Sequence, residues 1–137
     1  MYIKLSYDGR IISTSAYPNR RVSSDVSLDS SNELVIEVDD GSIYYYDDWD
    51  DDSYCKGKIK YIGRTLITYN DFDSDSTGKV RYIGNILITY NDDWDDESYK
   101  KGKVRYVGNT LVTYYDDDYE SYKVGRVKTV GDTFIYW

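Results

Sequence analysis

Gly102-Lys103-Val104-Arg105-Tyr106-Val107-Gly108-Asn109-Thr110-Leu111-Val112-Thr113-Tyr114 is two runs rich in β-branched and aromatic residues, set around a Gly-Asn pair. Such residues fit a pleated, half-buried surface. Glycine first in a two-residue loop matches a type II′ turn, whose first central residue needs positive φ. The stretch therefore reads as a β-hairpin. Pairing outward from the turn sets Val107 opposite Thr110, Tyr106 opposite Leu111 and Val104 opposite Thr113. Strict alternation then gives one face of Val104, Tyr106, Leu111, Thr113 and Tyr115, apolar enough for a core. The other face, of Lys103, Arg105, Val107, Val112 and Tyr114, is mixed.

The same unit recurs along the chain. Gly57-Lys58-Ile59-Lys60-Tyr61-Ile62-Gly63 and Gly78-Lys79-Val80-Arg81-Tyr82-Ile83-Gly84 precede it, and Gly125-Arg126-Val127-Lys128-Thr129-Val130-Gly131 follows. Their first glycines lie 21, 24 and 23 residues apart. Second arms follow as Leu66-Ile67-Thr68-Tyr69, Leu87-Ile88-Thr89-Tyr90 and Phe134-Ile135-Tyr136-Trp137. A fixed period of this length marks a repeat architecture. Helical periodicity is absent, and a single proline leaves the strands unbroken.

Residues 1–33 follow the pattern loosely. Ile3 and Leu5, then Ile11 and Ile12, flank Asp8-Gly9 as a hairpin, and Val22–Leu28 reads as an irregular strand in a serine-rich segment around Pro18. Leu34–Val38 and Ser42–Asp47 flank Asp40-Gly41 and read as a degenerate first repeat. The sequence thus predicts a single all-β domain over 1–137, with hairpin repeats over 34–137. It forms an antiparallel meander of roughly ten to thirteen strands, with an open single-layer or elongated sheet favoured over a closed barrel or a solenoid.

Composition narrows function. The chain has 137 residues, a net charge of −8 and no histidine, which removes the commonest general base and transition-metal ligand. Its pI of about 4.5 discourages nucleic acid and anionic membranes as partners, and favours a basic protein. No run approaches the ~18 apolar residues of a membrane span. The single cysteine, Cys55, has no partner for a disulfide and no histidine to activate it, so it reads as an incidental thiol in a cytoplasmic, non-enzymatic protein.

The motif GK[IV][KR]Y[IV]Gxx[LI][IV]TY with its acidic loops resembles short β-hairpin repeats of uncharacterised bacterial, cyanobacterial-type proteins. The hairpin spacing also resembles single-layer sheet segments of bacterial surface lipoproteins, whose lipidation signal this chain lacks. Neither resemblance implies an activity, a ligand or a site residue.

In a meander every Gly-X turn lies at one end and every acidic loop at the other. Each loop sets an aromatic among carboxylates: Trp49 with Asp48 and Asp50, Phe72 in its own run, Trp94 with Asp93 and Asp95, and Tyr119. Four readings of this rim stay open. The loops are solvated faces that protect a tyrosine-rich sheet from aggregation. Alternatively, the aromatics anchor a protein partner while the aspartates steer it. Asp71, Asp73 and Asp75 space oxygen ligands as calcium loops do, without the glycine and glutamate that complete such a loop, so any Ca2+ binding is weak. A carbohydrate, stacked on the aromatics, is the fourth. The ordered basic residues Lys58, Lys60, Lys79, Arg81, Lys103, Arg105, Arg126 and Lys128 read as structural cover for tyrosine rings. Self-association through a homodimer or paired sheet edges completes the expectations.

Overall fold

A computed structural model describes residues 1–47, 54–71, 76–91, 98–116 and 119–137. Each Gly-X pair makes the turn that its chemistry dictates. Gly63, Gly84, Gly108 and Gly131 sit at φ between 57° and 60°, and the residue after each glycine does not adopt positive φ. Around them form the strands β7 (Ile59–Ile62) and β8 (Thr65–Tyr69), β9 (Val80–Ile83) and β10 (Ile86–Tyr90), β11 (Val104–Val107) and β12 (Thr110–Tyr114), and β13 (Val127–Val130) and β14 (Thr133–Phe134). Their register is the expected one: Val107 lies opposite Thr110 and Tyr106 opposite Leu111, with equivalent pairs in the other hairpins. With β6 (Ile43–Tyr45) these strands form an open, nine-stranded antiparallel meander in sequence order.

The expected core face is corrected. Val104, Val107, Val112 and Tyr114 are buried, whereas Leu111 is 40% exposed and Tyr106 and Thr113 are half-buried. The cause is a β-bulge. Thr89 pairs with Tyr106 but Tyr90 pairs with Val104, so Arg105 is an extra residue in β11. One inserted residue inverts the alternation beyond it, and Val104 and Val107, three apart, come to share the inner face. The same shift recurs where β6 meets β7, β8 meets β9 and β12 meets β13. A ring closes every bulge from within its own hairpin. The hydroxyls of Tyr69, Tyr90 and Tyr114 donate to the carbonyls of Ile59, Val80 and Val104 at 2.8, 2.5 and 2.7 Å. In the final hairpin the Trp137 indole donates to Val127 O at 2.8 Å.

The N-terminal region departs further from expectation. β1 (Tyr2–Leu5), β2 (Ile11–Ser13), β3 (Arg20–Arg21), β4 (Ser27–Leu28) and β5 (Leu34–Glu37) form a separate five-stranded sheet in the order β2-β1-β5-β4-β3. The Asp8-Gly9 hairpin is present as read. Of the irregular strand expected over Val22–Leu28 only Ser27–Leu28 is strand, paired with Arg20–Arg21 just before that span, and the count rises to fourteen. β5 and β6 do not form the degenerate repeat: β5 pairs with β1 and β4, and β6 with β7. Leu34, Val35 and Ile36 are all buried, the continuous apolar run of a central strand rather than one arm of an edge hairpin. Asp39, expected in that turn, ties the two sheets together. Its carboxylate accepts from the Arg64 amide and its own amide donates to Thr65 Oγ1, both at 2.9 Å.

The five-stranded sheet covers the inner face of the larger one. Ile3, Leu5, Leu28, Leu34 and Ile36 share one apolar cluster with Ile62, Ile67, Ile83, Ile88, Val107 and Val130. The bulges also supply polar joints. The amides of Val80 and Val104 donate to Gly9 O and Tyr7 O, at 3.0 and 2.7 Å. At the glycine-turn end Asn109 N donates to the Asp25 carboxylate at 3.1 Å, and the Ser23 and Thr110 hydroxyls share a bond of 2.7 Å.

Candidate functional site

The bulge also decides what the outer face of the nine-stranded sheet carries. Register places its side chains in four equivalent rows of three: Tyr44–Tyr61–Leu66, Thr68–Tyr82–Leu87, Thr89–Tyr106–Leu111 and Thr113–Thr129–Phe134. Tyr44, Leu66, Leu111 and Phe134 are 59%, 36%, 40% and 51% exposed. A single exposed leucine is ordinary, but apolar side chains repeating over a whole sheet face are not. None of the 25 acidic residues lies in these nine strands, which carry Lys60, Arg81, Arg105 and Lys128.

Those cations lie over aromatic rings, as the sequence suggests. The Arg81 and Arg105 guanidinium groups sit 5.8 Å from the rings of Tyr82 and Tyr106. Lys60 covers Tyr46 at 5.2 Å, and Lys128 covers Tyr119 at 4.8 Å. The other members of the basic series face the covered side. Lys58, Lys79 and Lys103 sit 5.1–5.2 Å from Tyr69, Tyr90 and Tyr114. Each ammonium donates to a glycine carbonyl of the following hairpin: Lys58 to Gly78 at 2.5 Å, Lys79 to Gly102, and Lys103 to Gly125 at 2.5 Å. Burial lowers the pKa of Lys58 and Lys103, since the charged form is the one that loses water. Strict alternation, which sets Lys103 and Arg105 on one face, missed this division because the second cation of each pair is itself the extra residue of a bulge.

A cleft of about 370 Å³ opens between the sheets, lined among others by Tyr7, Ile12, Glu33, Lys103, Arg126 and Trp137. Burial raises the pKa of Glu33, helped by Asp29 and Asp8 against the pull of Lys4. It also raises Tyr7 and Tyr114 far above the ordinary phenol range. The Tyr7 hydroxyl donates to Asn32 O at 2.6 Å. Arg126 lies 4.6 Å over the Trp137 ring and occupies one of its faces.

Of the expected rim, Asp48, Trp49, Asp50, Phe72, Asp93, Trp94 and Asp95 lie outside the described residues, as do Asp73 and Asp75 of the calcium series. Asp71 and Tyr119 are described. Tyr119 packs edge-on against Tyr115, 4.8 Å between ring centres, beneath Lys128, so that aromatic folds back onto the sheet. Among the described residues no three acidic or cysteine side chains gather as a metal site. No helix among them is long and apolar enough to cross a membrane. Cys55 is buried in the common core.

Sequence reasoning named none of the outer-face rows as a site. Their signal was available: apolar residues three apart, as in Val104 and Val107, instead of two. No protein-family model, curated protein or solved structure matches this chain.

Proposed function

We propose that this chain is a non-enzymatic protein-interaction module whose binding surface is the outer face of the nine-stranded sheet. One observation carries the reading: Tyr44, Leu66, Leu111 and Phe134 stand exposed in repeated rows, on strands from which every acidic side chain is excluded. Aromatic and arginine side chains dominate binding energy at interfaces, and charged carboxylates are depleted there. The acidic loops then serve to keep the chain dispersed and to bias encounter. A photo-crosslinking residue placed at position 111, expressed in the cells that make the protein, should yield protein adducts. The same residue at Ile12, exposed on the five-stranded sheet, should not. Absence of any adduct at 111, or equal adducts at both, overturns the reading.

Saccharide binding is the second reading, supported by the cleft beside Trp137, where the rings of Tyr7, Tyr114 and Trp137 and several hydrogen-bonding groups converge. Trp137→Ala should then abolish oligosaccharide binding in calorimetry. No heat with the native chain removes it.

A further inference from the structure

We infer that the occupant of the outer face is a second copy of the same chain, packed face to face; this rests on the reading of that face as an interaction surface. Three observations lead there.

The first is pitch. Strands lie about 4.8 Å apart, so the Tyr–Leu rows and the cations on β7, β9, β11 and β13 recur about every 9.6 Å. A second copy has the same pitch and can match the surface row for row. Two sheets so paired form a sandwich with side chains interdigitated across about 10 Å.

The second is area. Nine strands of two to five residues, about four on average, make a face of roughly 40 by 13 Å. That is about 500 Å² per copy, about two thirds of the ~800 Å² per partner of standard stable interfaces and in the range of weaker, concentration-dependent pairs.

The third is charge. Arg81 and Arg105 lie over their Tyr rings, and among the described residues neither makes an ion pair with a carboxylate. Each is the second residue of its strand, near the acidic-loop end. Strands antiparallel across the interface therefore put the two cation rows at opposite ends of the sandwich. Strands running the same way would stack cation on cation. The isologous twofold arrangement closes on itself, each copy's outer face covering the other's.

Sedimentation velocity on the full chain, from about 10 µM to about 1 mM, reads the outcome. A dimer is expected, tightening as salt rises from about 0.05 to about 0.5 M, because screening relieves repulsion between two bodies of charge −8. Docking of acidic loops onto cations would weaken instead, and that salt dependence overturns the face-to-face arrangement. Leu66→Glu with Leu111→Glu should weaken dimerisation at least about 100-fold, since unpaired carboxylates would enter an apolar interface. Leu66→Ser with Leu111→Ser is the milder pair should the first unfold. A monomer at every concentration, or a dimer that survives either folded variant, overturns the inference. The crosslinking experiment separates the two failures. An adduct at position 111 with a different protein would leave the interaction reading standing while the self-pairing falls.

Discussion

The two sheets share one core and are built by opposite means. In the nine-stranded sheet a single hairpin solution recurs, with its turn glycine, its bulge and its ring-capped carbonyl, and each strand pairs with its neighbours in sequence. In the five-stranded sheet nothing repeats. β1 pairs with β5 across the intervening β2, β3 and β4, so order there depends on contacts distant in sequence. The difference shows how repetition needs complement. Hairpins of this kind bury only one face, and a unique segment closes the core by bonding to amides that the bulges release.

The sharpest way to break that comparison is to attack the unique sheet. Ile36→Ala, at a fully buried position in the common cluster, should cost about 2–5 kcal/mol. Urea unfolding followed by tyrosine fluorescence and by far-ultraviolet dichroism should still give one transition. Two separated transitions would mean that the nine-stranded sheet stands without its cover.

Turn and loop glycines probe the joint between the sheets. Gly108 has φ +59°, and a Cβ there would lie 2.6 Å from the Asp25 carboxyl carbon; Gly57 has φ +80° and open space around it. Gly57→Val should lose about 1–2 kcal/mol to backbone strain alone. Gly108→Val should lose more, about 3 kcal/mol, because it also displaces Asp25. Equal melting temperatures would show that Asp25 moves aside without cost.

A smaller effect follows from the polar lock of the five-stranded sheet. Burial by itself would raise the pKa of Asp29, but Lys4 and the amides of Glu33 and Ser31 outweigh it and hold the group below its ordinary value. Lys4 donates to it at 2.9 Å. A depressed carboxylate stabilises the fold above its unfolded pKa of about 3.9, and that contribution fades as pH falls through the lower folded value. Between about pH 6 and about pH 3 the native chain should therefore lose more stability than Asp29→Asn, read as the slope of melting temperature against pH. Parallel slopes would remove Asp29 from the balance.

Smallest of all is a test of whether equivalent rows are energetically equivalent. The Thr113 hydroxyl bonds that of Thr129, while the buried Thr68 hydroxyl has no hydrogen-bond partner among the described residues. Thr68→Val should be neutral or stabilising by up to about 1 kcal/mol, and Thr113→Val destabilising by a similar amount. Melting temperatures that fall equally would refute the distinction.

How much of this was legible depended on range. Gly63-Arg64 and its counterparts announce their turns within two residues, so hairpins, register and fold class could be read directly. The orientation of each face could not, because strict alternation is blind to Arg105 as an extra residue, and one residue moves Val104 from one face to the other. β5 was misread for a different reason. Asp40-Gly41 is a strong local turn signal, overridden by the pairing of Leu34–Glu37 with β1, distant in sequence, on one side and with β4 on the other. As for the site, Tyr119 and the basic series were singled out, but the exposed rows needed the bulge before they could be recognised.

The lysine-to-glycine bonds have a consequence for how such a chain can change over generations. From first glycine to closing ring, residues 57–69, 78–90, 102–114 and 125–137 have the same length. All variation in length between copies falls in the connecting segments, and yet Lys58, Lys79 and Lys103 each reach the next glycine. The link is made to the first residue of the next hairpin and is indifferent to the length of what precedes it. Loop closure costs only about 0.6 kcal/mol more for each doubling of loop length. Insertions and deletions there would leave the frame in phase, so those segments are where sequence can drift in length while the hairpins stay fixed as a ruler.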